Sequence, residues 1–270
     1  MRETHPHLLG KNMNRIDQTF ARLKTEGRTG LVGYLCAGDP DMQGSEQSIR
    51  AAIDNGVDIL ELGMPFSDPT ADGPTIQEAS QRALASGATV TSVLELVKRI
   101  RSTDDDTPII LFGYANPLFK YGYARICKDA AEAGIDGFLV VDLPYEESAE
   151  LTSHMKPEGL HFVPLIAPTT GMERAAMVLE HAAGFVYYIM VTGVTGARTA
   201  LASDLKEQMA ALHAVTDLPI AAGFGVSSGE QAAATGAEAD AVVVGSALVK
   251  SACQNRIAEF TQELRTALDA

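Results

Sequence analysis

The chain is short of the groups that cross-link or chelate. Its 270 residues hold three cysteines, Cys36, Cys127 and Cys253, far apart and with no Cys-x-x-Cys pair. That argues against a disulfide framework or a zinc site and for reduced thiols in a cytoplasm. The histidines offer no ligand spacing either. His5 and His7 fall in a polar start, and His154, His161, His181 and His213 stand singly, mostly on expected helices, so no metal and no cofactor is expected. Positive charge is scarce, with 21 Lys and Arg against 35 Asp and Glu and a net charge of −14. Such a balance opposes nucleic-acid backbones and anionic membranes. There is no run of eighteen apolar residues to span a membrane. Met1 to Asn14 lacks the apolar stretch of a signal peptide and reads as a mobile tail. No Gly-x-Gly-x-x-Gly follows the first strand, and no Gly-x-Ser-x-Gly elbow is present, which removes the dinucleotide and serine-hydrolase fingerprints. No linker divides the chain, so residues 1–270 are expected to form one domain.

What is present is a repeat of short apolar strand, Gly-rich or polar loop, amphipathic helix, and a Gly just before the next strand. The apolar runs predict strands at Leu31–Cys36, Val57–Leu62, Ile109–Gly113, Gly137–Val141, His161–Ile166, Phe185–Met190, Pro219–Ala222 and Ala241–Val244. Three junctions resemble one another: Asn55-Gly56-Val57-Asp58, Ala133-Gly134-Ile135-Asp136 and Gly236-Ala237-Glu238-Ala239-Asp240. Strands apolar on both faces and alternating with helices indicate a parallel sheet covered by helices. Eight such units fit a closed (β/α)8 TIM barrel better than an open doubly wound sheet. An extra amphipathic helix precedes the first strand, from Asn14 to Glu26, and an extra one follows the second, with Thr75–Ser86 and Thr91–Ser102 both helical in pattern.

The second strand carries the most informative side chain. Glu61 is the one ionisable group in its apolar run, has no basic neighbour, and by alternation shares a face with Val57 and Ile59. A buried unpaired carboxylate costs several kcal/mol, which favours a functional over a structural acid. The Pro- and Gly-rich loop that follows adds Asp68 and Asp72 before Pro74 opens a helix. Barrel active sites form where strands end. Those ends gather Tyr34, Glu61, Phe112, Tyr114, Val141, Asp142, Leu165, Tyr187, Phe224 and Val244. Such a mouth is largely apolar and aromatic and suits a flat apolar ligand, although any one of these residues could equally be packing. Glycine turns follow the last three strands: Gly193-Val194-Thr195-Gly196, Gly223-Phe224-Gly225 and Gly245-Ser246. Backbone amides and a helix N-terminus there suit a phosphate. Lys250 lies a turn along that helix, facing solvent.

The stretch Glu61-Leu62-Gly63-Met64-Pro65-Phe66-Ser67-Asp68-Pro69, with Ala71-Asp72-Gly73-Pro74, resembles the signature of the tryptophan synthase alpha subunit family. Gly38-Asp39-Pro40, Tyr114-Ala115-Asn116-Pro117, Asp142-Leu143-Pro144 and the three glycine turns match in order from about residue 15 onward. The resemblance implies a (β/α)8 barrel that cleaves indole-3-glycerol phosphate to indole and glyceraldehyde 3-phosphate. It places the catalytic acids on Glu61 and Asp72. It puts the substrate on Tyr34, Phe112, Tyr114, Leu139, Leu165, Tyr187, Thr195 and Phe224, and the phosphate on Gly196, Gly225, Gly245 and Ser246. Pro65 and Asp68 match the loop that faces a beta subunit in an alpha2beta2 heterotetramer. Cys36 stands where a Thr is commoner, and Met190-Val191 replace more polar residues. On this reading Glu61, in oily surroundings, is the proton donor, while Asp72, on a wetter loop, stays ionised. The competing expectations are a stand-alone lyase, a non-catalytic activator of a beta subunit, and a phosphosugar isomerase or epimerase on the same barrel.

Overall fold

The structure is a computed structural model that describes residues 13–180, 182–190, 198–223 and 225–270, without the side chains of residues 198–204. The expected tail lies outside the described residues up to residue 12. Gly30–Cys36, the first strand, pairs in parallel with the second, Ile59–Gly63, on one side and with the eighth, Ala241–Val244, on the other. The ring continues through Ile109–Gly113 and Gly137–Val140 in one direction and through Ile220–Gly223 and Val186–Ile189 in the other. The fifth strand is two short pieces. His161–Phe162 pairs with the fourth strand and Leu165–Ile166 with the sixth. Pro164 lacks an N–H and interrupts regular pairing. Even so, the Val163 N–H reaches the Phe138 carbonyl and the Tyr187 N–H reaches the Pro164 carbonyl, so the ring closes as a (β/α)8 barrel.

Strand alternation sorts the apolar side chains into two layers. Inside stand Val32, Ile59, Ile110, Leu139, Val163, Phe185, Ala221 and Val243. Outside, Leu31, Leu35, Leu60, Leu62, Leu111 and Val242 pack under the helices. Each large aliphatic side chain taken fully out of water contributes about 1.5–3 kcal/mol. Helix Arg15–Glu26 seals the bottom of the ring: Ile16, Phe20 and Leu23 join the inner layer, and the Phe20 and Phe185 rings lie 5.5 Å apart. Its N-cap Asn14 accepts from the Ile16 N–H and also donates to the Asp136 and Gly159 carbonyls, tying the helix to the barrel floor.

Both expected helices after the second strand are present, at Pro74–Ala85 and Val90–Arg101. Each starts a residue early: Pro74 suits the first helical position, and Thr89 with Ser92 forms a reciprocal capping box. The second strand starts late, at Ile59, because Gly56 (φ 113°) turns the chain just before it. Val57 therefore falls outside the strand's alternation. It packs outward with Leu31 and Leu60, against Gly33, rather than sharing the inner face with Ile59.

The three similar junctions build one device. Asp58, Asp136 and Asp240 each donate a backbone N–H to a carbonyl at the start of the strand before, at Leu31, Ile109 and Ile220. Each then accepts the N–H of that same residue on its carboxylate, at 2.9, 2.8 and 2.8 Å. The carboxylate thus completes a ladder bond at the sheet's end, where the backbone has run out of partners. Among the described residues no helix is long and apolar enough to cross a membrane.

Candidate active site

At the other end of the ring the second strand points Glu61 inward, directly across from Tyr34 in the strand register. Its side chain is 1% exposed, and Oε1 has no hydrogen-bond partner among the described residues. Burial alone pushes the Glu61 carboxyl up to about 8, since no cation compensates it. Such a group is protonated near neutrality and placed to give that proton away. Desolvation also raises the phenols of Tyr34 and Tyr187, and the negative charges of Glu61 and Asp72 raise both further. Tyr34 stands opposite Glu61 in the strand register and Tyr187 packs on the same inner layer, so both tyrosines share the mouth with Glu61.

Asp72 is held by the loop that follows the second strand. The Tyr114 hydroxyl donates to Asp72 Oδ2 at 2.9 Å and accepts the Ala71 N–H at 3.0 Å, while the Phe66 ring packs 5.1 Å from the Tyr114 ring. Gln77 Nε2 donates to the Asp72 carbonyl at 2.8 Å, locking the loop to the first turn of the next helix. Half-buried, Asp72 is not as wet as its loop suggested. Desolvation lifts its carboxyl above the usual range, and the Tyr114 hydrogen bond works against that lift by favouring the carboxylate. Of the loop positions expected to face a partner, Asp68 is exposed and accepts from Ser67 Oγ at 2.6 Å, whereas Pro65 is buried.

The ring wall is built from Tyr34 and Phe112, edge to face at 5.1 Å and 78°. The contact spans from the first strand to the third, across Gly63 of the second. A side chain at Gly63 would overlap the Tyr34 hydroxyl, so this glycine makes the wall possible. Gly63 went unassigned from sequence; its place two residues after Glu61, on the same inward face, was the available signal. Leu139 lies in the inner layer, and Phe112, Val141, Leu165 and Tyr187 pack partly buried over it.

On the anion side, Gly245 is the N-cap of helix Ser246–Cys253, and no side-chain cap bond is made there among the described residues. Gly225 adopts φ 75°, a conformation few other residues take. Lys250 is exposed, as expected. Thr195, Gly196 and Phe224 lie outside the described residues, as do Val191 and His181. Two expected lining residues stand elsewhere. Val244 packs outward with Val242 and Leu248, because Val243 is the inward residue of the eighth strand. Asp142 accepts the Ala115 N–H at 2.7 Å and so serves the start of helix Ala115–Tyr121. Cys36 is buried with its Sγ 4.0 Å from Ser80 Oγ, and burial pushes the thiol up to about 12. Met190 packs under the outer helices. Among the described residues no cluster of His, Cys, Asp and Glu could hold a metal ion.

The profile of the family described as "Tryptophan synthase alpha chain" matches residues 20–269. The tryptophan synthase alpha chain of Gluconacetobacter diazotrophicus is 53% identical over 237 residues, covering 88% of this chain and 86% of that one. The alpha chain of Desulfatibacillum aliphaticivorans is 47% identical over 263 residues, covering 94% and 99%. Among solved structures, the tryptophan synthase alpha chain of Legionella pneumophila superposes with a TM-score of 0.87 at 36% identity, covering 95% of this chain and 98% of that one. A chain of Mycobacterium tuberculosis tryptophan synthase superposes with a TM-score of 0.88 at 35% identity, covering 96% and 99%.

Proposed function

This chain belongs to the tryptophan synthase alpha chain family, a family of TIM-barrel lyases in tryptophan biosynthesis, and from that premise we propose that it cleaves indole-3-glycerol phosphate by a retro-aldol reaction. The observation that carries the reading is the pairing of an unpartnered, desolvated Glu61 with an anchored Asp72 in one aromatic mouth. Glu61 gives its proton to C3 of the indole ring. The C3 to side-chain bond then breaks, its electron pair restores the aromatic ring, and the adjoining hydroxyl loses its proton as the aldehyde forms. Glu61 takes up that proton and is ready for another turnover. Asp72, biased toward carboxylate by Tyr114, accepts the ring N–H and stabilises positive charge on the protonated ring. Two acids in unlike settings divide the work.

The indole ring sits on Tyr34, Phe112, Leu139, Leu165 and Tyr187, with Phe224 and Thr195 completing the enclosure. The phosphate lies on the backbone amides around Gly196, Gly225, Gly245 and Ser246. The partner is a beta subunit in an alpha2beta2 assembly. Asp68, exposed on the loop that carries Asp72, supports that reading, together with the M. tuberculosis neighbour being a chain of tryptophan synthase. A single barrel domain and a cytoplasmic location complete the proposal, supported by three unpaired thiols. The experiment is steady-state release of indole from indole-3-glycerol phosphate by the isolated chain, repeated with a cognate beta subunit. Turnover that rises on mixing is expected. No release under either condition overturns the lyase reading, and release that the beta subunit leaves unaltered turns it toward a stand-alone lyase.

A further inference from the structure

The helix that carries Asp72 at its head is packed through small side chains. Pro74–Ala85 buries Ala79, Ser80 and Ala83, whereas the next helix, Val90–Arg101, buries Val93, Leu94, Leu96, Val97 and Ile100. Burying an alanine contributes a fraction of what a buried leucine or isoleucine does. Polar contacts at the far end of Pro74–Ala85 make up for that thin packing. Arg82 donates from Nε and Nη2 to the two carboxylate oxygens of Asp39, at 2.7 and 2.8 Å, in the loop after the first strand. The Asp39 side chain is 7% exposed, so the fork is sheltered on the acid's side. Arg82 Nη2 also reaches Cys253 Sγ at 3.4 Å, at the end of the helix that begins with Ser246. One turn further on, Ser86 Oγ donates to the Gly38 carbonyl at 3.2 Å. The cleavage described above uses none of these side chains.

At the near end of the same helix, Gln77 Nε2 binds the Asp72 carbonyl at 2.8 Å, so the acid's backbone moves with the first turn. Arg82 stands about 12 Å along the axis from Pro74, at 1.5 Å per residue. A helix held mainly at its two ends passes slackness at one end on to the other. We propose that Arg82, by clamping Asp39, is a positioning residue for the cleavage: it fixes the helix that carries Asp72 and so sets where that carboxylate meets the ring N–H. Asp72 accepting that N–H, as in the reading above, is the premise on which this role rests. Tyr114 orients the carboxylate within its loop, and Arg82 sets the helix to which that loop is joined. Misplacing a reacting group by about 1 Å costs up to about 10²-fold in rate, so loosening the clamp shows in turnover.

The test is a double-mutant cycle read by single-turnover release of indole from indole-3-glycerol phosphate, with the enzyme in excess. Arg82→Gln and Arg82→Lys are each made in the parent and in Asp72→Asn, and urea unfolding confirms a folded chain for every variant. In the parent, Arg82→Gln should lower the rate more than about tenfold. Arg82→Lys should restore part of that loss, to within about fivefold of the parent, since lysine keeps the charge without the fork. In Asp72→Asn the same two changes should each cost less than about twofold, because the group they position is already gone. Equal factors in the two backgrounds mean that Arg82 serves the fold or some other group, which overturns the proposal. So does Arg82→Gln at the parent's rate. Should Arg82→Gln fail to fold, the Arg82→Lys cycle decides by the same comparison. Asp72→Asn that releases indole as fast as the parent removes the role of Asp72 itself, and this positioning role with it.

Discussion

The two ends of the barrel treat carboxylates in opposite ways. At the floor, Asp136 lies between Arg15 and Arg101, at 3.0 and 2.9 Å, and accepts the Ile109 N–H as well. Asp58 is held in the same manner by Arg22 and Arg265, at 3.2 and 2.9 Å, and by the Leu31 N–H. At the mouth, among the described residues, Glu61 has no cation and its Oε1 no donor, and Asp72 has one phenol. All of these groups lose water. The floor replaces it with charge and hydrogen bonds, so its acids hold the ring shut. The mouth withholds charge and grants a single hydrogen bond, to Asp72, so its acids keep their capacity to exchange protons. Burial by itself does not mark a catalytic acid; burial without compensation does.

The largest effect should come from uncoupling the floor. Asp136→Ala leaves Arg101, only 9% exposed, and Arg15 without their shared anion and the Ile109 N–H without its acceptor. Breaking a buried pair of this kind costs about 3–5 kcal/mol, to be read from urea unfolding with unchanged m-value. A loss below roughly 1 kcal/mol, the range of exposed pairs, would mean that the floor acids are no better compensated than surface ones.

The converse change at the mouth should separate activity from stability. Glu61→Gln removes the proton donor, and turnover should fall by more than about 10². Its stability should move the other way. In the folded chain the Glu61 carboxyl is raised to about 8, above its value in the unfolded chain, so the folded state keeps a proton that the unfolded state has already released. Between those two values the parent loses stability as pH rises, by about 1.4 kcal/mol per pH unit at the steepest. The Gln variant lacks that slope. Urea unfolding at pH 5 and pH 8 should therefore show Glu61→Gln gaining on the parent at the higher pH, and a constant difference would place a compensating partner beside Glu61. Turnover of the parent should instead hold through that interval and decline as pH rises through about 8, where the acid form is lost.

Much of this contrast was legible from sequence, and the exceptions have physical causes. Glu61 stood out as a lone acid in an apolar strand, and the barrel followed from strands apolar on both faces alternating with helices. The similarity of the Asp58, Asp136 and Asp240 junctions was visible too. The carboxylate clamps were not, because each closes on a residue 20 to 27 positions away. Distance in sequence likewise hid the grip of Tyr114 on Asp72, 42 residues apart, so Asp72 looked wetter than it is. Val57 and Val244 were assigned to the wrong face because alternation gives a face only once the true register is fixed. Gly56 shifts the start of one strand, and Val243 is the inward residue of the other.

A smaller change tests the intermediate case. Tyr114→Phe keeps the ring against Phe66 but removes the donor to Asp72 and the acceptor of the Ala71 N–H. Asp72 should then titrate higher, since the lost bond favoured its carboxylate. One charge-assisted hydrogen bond is worth roughly 1.5 kcal/mol, so kcat/KM should drop about tenfold with little loss of fold stability. A pH profile of kcat/KM whose acidic limb shifts upward in the variant would tie the loss to Asp72 rather than to the packing of the loop.

The smallest expected effect lies back at the floor and checks that position alone does not decide the outcome. Arg22 also contacts Asp58, but its side chain is 47% exposed, whereas Arg265 on the other side of the same carboxylate is 10% exposed. Solvent screens the first contact, and Asp58 keeps both Arg265 and the Leu31 N–H when Arg22 is removed. Arg22→Ala should therefore cost no more than about 1 kcal/mol. Arg265→Ala should cost several times that, because it strips the sheltered partner and the donor to the Thr29 carbonyl together. If urea unfolding gave the two variants equal losses, the compensation at the floor would have to be ascribed to net charge rather than to sheltered contacts, and the distinction between the two ends of the barrel would lose its basis.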